Sequence, residues 1–426
     1  MEAVPENKKI AVIGSGISGI VSAYLLDKRH RVTLFEKNER LGGHTNTRTV
    51  TEANGKTLSI DTGFIVCNKR NYPLFYRFLD KLGVKLRDSD MSFGFYCEES
   101  RCGYTGPTLQ EFLRNPSNLL SLRWLKMLCH RRRFNEQARR HLFEQKLVEI
   151  PLGEYAKTLN LPDTFLRDYL LPISGAVWSS PDSEMLKFPT RTFLTFLENH
   201  GMLHLPSIPQ WQTVVQGSQA YIDAFQRQFS GEIRLQNAVR EITRENGFCS
   251  VITADGEVET FDIVVIACHA DEALRLLRSP SVAEQNLLSS WSYHKNTIML
   301  HSDQSLLPPK RSYWASWNYL RKRNDNGKNP VAISYHMNRL QGLESHEDYF
   351  VTLNATTPVD EGKIHYQTTY THPAFTPESI AAQKEIQVRN GTDNTFFCGA
   401  YLGYGFHEDG TRSAVEVAKR LGGSLL

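Results

Sequence analysis

No run of about eighteen consecutive apolar residues, the length a helix needs to cross a bilayer, occurs in this 426-residue chain, so no spanning helix is expected. The opening MEAVPENKK lacks the apolar stretch that a secretory leader needs. Cysteine is sparse: seven residues, at 67, 97, 102, 129, 249, 268 and 398, odd in number and without a CxxC pair. That argues against a disulfide scaffold or a zinc module and for a reducing, cytoplasmic setting. Metal motifs are missing too. His200 and His204 stand four apart, but Gly201 holds the position where HExxH needs its glutamate, so no metal ligand is assigned. No GxSxG nucleophile elbow is present. What remains, 40% hydrophobic and 22% charged residues, is the composition of a folded chain with room for two or three domains.

Charge is nearly balanced, at +3, yet unevenly spread. Between Arg114 and Lys146 nine Lys/Arg oppose two Glu, a local +7 that leaves −4 for the rest. Leucines, Trp124 and Met127 interleave with this charge in SNLLSLRWLKMLCHRRRF. Such a helix is either an ordinary solvated face or a surface for an anionic membrane. Nucleic acid is not expected, because no binding motif accompanies the patch.

Residues 8–13, KKIAVI, form an apolar run ending in glycines and read as a buried strand. Helical spacing over 17–29 and a second strand at 31–36 complete a βαβ unit, hence a parallel sheet. Residues 75–214 are richer in helical patterns. Strand signals return at 232–266, where FCSVIT and VETFDIVVIAC flank the turn at Asp255-Gly256. Mixed signals run from 290 to 380, and TFFCGAY then feeds a last helix around SAVEVAKRLG.

Gly14-Ser15-Gly16-Ile17-Ser18-Gly19 sits between the first strand and helix, where GxGxxG carries a mechanism. Gly14 permits the tight turn, Gly16 lets a pyrophosphate approach the main chain, and Gly19 lets helix and strand pack closely. The helix amino end offers free N–H groups to the phosphates. Glu36 ends the second strand, 22 positions after Gly14, where an acid can hold ribose hydroxyls and disfavours the 2′-phosphate of NADP. Dinucleotide binding follows.

Directly after Glu36 come Lys37 and then Arg40-Leu41-Gly42-Gly43-His44-Thr45; Asp61-Thr62-Gly63-Phe64 follows about twenty residues on. This order resembles the start of the flavin-containing amine oxidase superfamily. Phe397-Cys398-Gly399-Ala400 resembles the strand that returns to the flavin, and Gly403–Gly410, GYGFHEDG, would open the last helix toward the isoalloxazine. With Ala315–Tyr319 and Tyr335–Leu340, that run resembles more narrowly the predicted NAD/FAD-binding oxidoreductases associated with cyclopropane-fatty-acid synthases. The resemblance covers about residues 8–422. It implies FAD as cofactor, touched by the six residues of the Gly14–Gly19 turn, Glu36, Lys37, Leu41, Gly42, Gly43, His44, Thr45, Asp61, Thr62, Gly63, Phe64, Val239, Ala267, Cys268, Gly399, Ala400, His407 and Glu408. It also implies a Rossmann-like, discontinuous FAD-binding domain (1–75, 215–290 and 385–426) with an inserted α+β substrate domain (76–214 and 291–384).

Catalytic candidates are fewer. Lys295 precedes IMLHS and could face the flavin or be an exposed strand-end lysine, since one residue of register moves it to the other face. Tyr404 could sandwich a substrate or pack the wall, and His407 could donate a proton or bond the cofactor. Phe93, Phe95, Tyr96 and Trp178 are tunnel or core aromatics. The expected activity is hydride transfer to flavin from an unsaturated or modified fatty acyl chain, in oxidation, desaturation or double-bond isomerisation. A soluble amine substrate, or a non-catalytic FAD-binding partner of a lipid methyltransferase, are the alternatives. The expected place is the cytoplasm, peripherally at the membrane.

Overall fold

Five short strands from distant parts of the chain, four of them largely apolar, meet in one parallel sheet. In spatial order they are Thr395–Phe397, Ile263–Ile266, Lys9–Ile13, Arg31–Phe35 and Glu232–Arg234. The computed structural model describes residues 6–105, 122–144, 150–204, 209–322 and 332–425. The helix Ile17–Leu26 is buried along its whole length, between this sheet and the last helix, His407–Arg420. Its isoleucines, leucines and valine each contribute roughly 1.5–3 kcal/mol on burial, which outweighs the cost of about 1 kcal/mol for Gly19 in a helix. Gly19 is there for space: a Cβ would lie 1.8 Å from the Gly14 carbonyl oxygen. Phe75, Phe78, Leu79 and Leu82 of the helix Pro73–Leu82 join the same core.

The VETFDIVVIAC run divides. Val258–Phe261 closes a three-stranded antiparallel sheet with Val239–Glu245 and Phe248–Thr253, while Ile263–Ile266 enters the parallel sheet.

A seven-stranded mixed sheet forms the second layer, in the order Ile364–Pro373, Tyr293–His301, Phe350–Leu353, Ile333–His336, Trp317–Arg321, Phe93–Cys97, Cys102–Thr105. Phe93–Cys97 is a strand inside the stretch read as helix-rich; its parallel partner Trp317–Arg321 lies more than 200 residues away, beyond any local signal. Helices cover one face of this sheet. Phe134 of the helix Leu122–Phe143, Phe165, Trp178, Phe193 and Phe196 pack in one core with Phe95, Ile298, Tyr319 and Leu353. Of the basic region 114–146, the helix spans 122–143, and 114–121 and 145–146 lie outside the described residues. Among the described residues no helix is long and apolar enough to cross a membrane.

Candidate active site

The two sheets face each other across a cavity of about 1160 Å³. That exceeds the roughly 300–1,000 Å³ of a typical small-molecule site, so a cofactor and a substrate fit together.

The turn after the first strand builds one wall. Gly14 adopts φ +97°, in the left-handed region glycine favours, and Gly16 would carry a Cβ with nothing within 4 Å. Gly14, Ser15, Gly16, Ile17 and Ser18 all line the cavity. The Glu36 carboxylate accepts main-chain bonds from Ser15 (3.0 Å) and Asn38 (2.9 Å) and side-chain bonds from the same two residues (2.5 and 2.6 Å). The main-chain bonds fix the acid; the hydroxyl and amide can turn aside for ribose hydroxyls. Lys37, which pairs with Glu272 at 2.6 Å, together with Val239, Ala267 and Cys268, continues this side.

Gly42, Gly43 and His44 form the next stretch of wall. Arg40 holds their loop shut by donating to the carbonyls of Gly43 (2.8 Å) and Thr45 (2.7 Å), a brace the sequence reading did not assign. Gly63 must be glycine, because a Cβ would sit 2.0 Å from the His44 carbonyl oxygen. Thr62, Gly63, Phe64, Gly399, Ala400, Tyr404 and His407 also face the cavity. Phe64 stacks on His407 with centroids 3.7 Å apart and 17° between planes.

Six assigned residues stand elsewhere. Gly19 is packed against Gly14, behind the turn. Leu41 is in the core, 3% exposed. Thr45 is fully buried and acts behind the wall, its hydroxyl bonded to Tyr221 and 3.1 Å from His407 Nε2. The Asp61 carboxylate is equally buried and accepts from Thr47 Oγ1, Ser218 N and Oγ, and Gln341 Nε2, so it ties the hairpin Thr47–Asp61 to its neighbours. Glu408 turns away to accept from the main-chain N–H groups of Leu74 and Phe75 at 3.2 and 3.0 Å, capping the helix Pro73–Leu82. Lys295 is exposed opposite Thr371 and outside the wall; its neighbour Asn296 is buried and bonds His372 Nδ1 at 2.8 Å.

Beside His44, two histidines not assigned from the sequence, His269 and His372, complete a cluster. His44 lies 5.3 Å from His372 and 6.4 Å from His269 between centroids, with Tyr370 4.7 Å away. Burial pushes His44 well below its ordinary range, His372 down to about 4 and His407 down to about 3, so all three are neutral at pH 7. His44 Nε2 is buried with no protein partner. His269 and His372, 103 residues apart, carry no spacing signal. Cys398 is fully buried beside Ser22, and burial raises its thiol to about 12.

The opposite side of the cavity is aromatic and aliphatic, with Phe93, Trp178, Phe196, Trp317 and Tyr335 among its residues. Phe95 and Tyr96 are core residues instead. Carboxylates among the described wall residues are Glu36, Glu39 and Glu272, all on the dinucleotide side. The aromatic side carries two guanidinium groups, Arg48 and Arg131.

Fold and glycine cradle together define a dinucleotide-binding oxidoreductase. The profile of the flavin containing amine oxidoreductase family matches residues 17–348. The chain belongs to that family, and FAD is its cofactor. Solved structures with this fold include the CLA-producing fatty acid isomerase from P. acnes, 15% identical, with a TM-score of 0.67 and 97% and 98% of the two chains covered. Putrescine oxidase bound to putrescine matches at 12% identity and a TM-score of 0.68, over 97% of this chain and 98% of that one. Cyclohexylamine oxidase from Brevibacterium oxydans IH-35A matches at 14% and 0.64, over 98% and 100%. At such identities they show a common fold. The residues fit the cofactor: an open Gly16, an acid fixed at the strand end, and a buried imidazole N at His44 without a partner.

Proposed function

We propose that this oxidoreductase oxidises, desaturates or isomerises an unsaturated or modified fatty acyl chain. The carrying observation is the charge of the substrate side: aromatic and aliphatic residues, no carboxylate among the described wall residues, and two arginines. A protonated amine finds no carboxylate on such a wall; ring faces return about 0.5–2 kcal/mol to it, less than the several kcal/mol that desolvating its charge costs. An acyl chain gains about 0.8 kcal/mol per buried methylene.

The turn Gly14–Gly19 and Glu36 would hold the two ends of the ADP half of FAD, and His44, Phe64 and His407 would flank the rest. Bound there, FAD supplies a two-electron, hydride-accepting centre. The chain's own part is positioning and water exclusion. Trp178, Phe196 and Tyr404 would fix the reacting carbon, and the neutral imidazoles of His372 and His407 leave no fixed positive charge beside it. Thr45 and Tyr221 hold the His407 ring in place.

The sequence resemblance to oxidoreductases associated with cyclopropane-fatty-acid synthases favours acyl chains still in a phospholipid. The helix Leu122–Phe143 suits that source, because Leu122, Leu125, Leu128 and Phe143 are exposed beside Arg132, Arg133, Arg139 and Arg140. Arg131, in the same basic run, is 8% exposed and faces the cavity instead.

Anaerobic titration of the flavoprotein with liposomes of unsaturated lipid tests the reading. Bleaching of the flavin, or a double bond moved in the recovered lipid, supports it; an unchanged spectrum and unchanged lipid reject it. A second reading, oxidation of a soluble amine, draws support from the family itself. It predicts peroxide release with an amine panel.

A further inference from the structure

Arg48 is a cation without an anionic partner among the described residues. It lines the cavity on the substrate side. Its Nη2 donates to the Tyr366 hydroxyl at 2.8 Å, and the guanidinium lies over the same ring, 3.9 Å from its centroid. Nε is buried with no partner. No described carboxylate comes within ion-pair distance, and Nη1 makes no hydrogen bond to a described residue. Tyr366 is itself pinned, accepting from Asn46 Nδ2 at 3.3 Å, while Asn46 also donates to Tyr370 at 2.8 Å. Burial pushes the Tyr366 phenol up, but hydrogen bonds from Thr368 and Asn46 and the Arg48 charge together hold it below its ordinary value. The fork is therefore oriented by a rigid phenol rather than neutralised by an acid. A half-buried charge held this way is completed by an anionic oxygen from outside the chain.

We propose that Arg48, set by Tyr366, binds the anionic head of the acyl substrate: the carboxylate of a free fatty acid or the phosphate of a phospholipid. The proposal rests on the acyl-chain reading above and adds to it a polar anchor, which fixes how far along the chain the reacting carbon lies. Arg131 is the competing cation. It sits against Tyr169 at 5.6 Å, on the helix Leu122–Phe143.

Calorimetric titration of the FAD-loaded protein tests the anchor with oleate against methyl oleate, and with dioleoylphosphatidylglycerol against dioleoylglycerol. One charge-assisted hydrogen bond corresponds to about tenfold or more in affinity. The charged member of at least one pair is expected to bind about tenfold tighter in the wild type. Which pair shows the gap identifies the head as carboxylate or phosphate. Arg48→Gln should abolish the gap while leaving affinity for the neutral member unchanged, which also shows that the variant is folded. Arg48→Lys, which keeps the charge but loses the fork, should retain part of it. A gap that survives R48Q, or one removed by Arg131→Gln instead, overturns the anchor and leaves the acyl reading standing. Absence of binding by all four lipids overturns both.

Discussion

Replacing Gly16 by alanine separates the cofactor cradle from the fold that carries it. In the protein alone the new methyl has nothing within 4 Å, and the backbone at φ −64°, ψ 177° suits any residue. By those facts the variant's apoprotein should be as stable as the parent, or more stable by about 0.4–1 kcal/mol through a less flexible unfolded chain. FAD should respond in the opposite sense. A methyl on Gly16 occupies the space where a pyrophosphate would meet the helix amino end, and losing one charge-assisted bond there weakens binding by about 10- to 100-fold. Gly19→Ala is the contrast: its Cβ would be 1.8 Å from the Gly14 carbonyl, so helix and strand must part by more than an ångström before any ligand is considered. That variant should lose about 1–3 kcal/mol or more as apoprotein. The assay is the flavin-to-protein absorbance ratio after purification, with thermal unfolding of the stripped proteins. A G16A protein that retains FAD with wild-type affinity would refute the placement of the pyrophosphate.

Asp61→Asn should cost about 2–4 kcal/mol, because the amide presents donors to Ser218 N–H and Gln341 that now bond a carboxylate; flavin affinity at low temperature should be unchanged, read by unfolding and titration. Stability should fall as pH drops below about 6.5. His407 (held at about 3) and His372, His200 and His301 (each at about 4) take up protons only on unfolding. Asp61 and Glu408, raised by burial to about 6 and about 7, are protonated in the fold first and oppose that trend. With His44 pushed down as well, the histidines outnumber the two carboxylates, so the slope reaches a few kcal/mol per pH unit, reduced by water in the cavity, and His407→Gln should flatten the melting-temperature profile. Neutralising Arg132, Arg133, Arg139 and Arg140 together should strongly reduce co-sedimentation with anionic liposomes, at about 1 kcal/mol per charge, whereas Arg131→Gln should leave it unchanged.

The phosphate turn was legible because its chemistry is local. A tight turn, a close approach and a helix amino end occupy six consecutive residues, and each needs glycine for a reason visible in the sequence. Glu36 was legible for the same reason, as the end of the next strand. Asp61 and Glu408 were misplaced because a buried carboxylate looks alike in sequence whether it meets a ligand or a main-chain N–H. Their partners, Ser218 and Leu74–Phe75, lie 157 and more than 300 residues away. Lys295 turned on strand register, which pairs it with Thr371 and places Asn296 on the buried face. Arg48 carries no motif at all. Only the crossing of the hairpin Thr47–Asp61 with the strand Ile364–Pro373 brings it to Tyr366.

The placement of charge in the cavity bears on the chemistry as much as on the substrate. On the dinucleotide side two of the three acids are paired or capped: Glu36 by Ser15 and Asn38, Glu272 by Lys37. On the substrate side two arginines stand among aromatic residues, and the imidazoles nearest the junction are held neutral by burial. Transfer of a hydride from an apolar carbon needs no ionised base beside it, and a neutral imidazole costs such a substrate less than an imidazolium or a lysine ammonium would. A lysine at the register of Asn296 would place an ammonium against His372 and require desolvating it at a cost of several kcal/mol. A buried amide there instead keeps the junction uncharged, which suits the apolar acyl substrate proposed above better than a protonated amine.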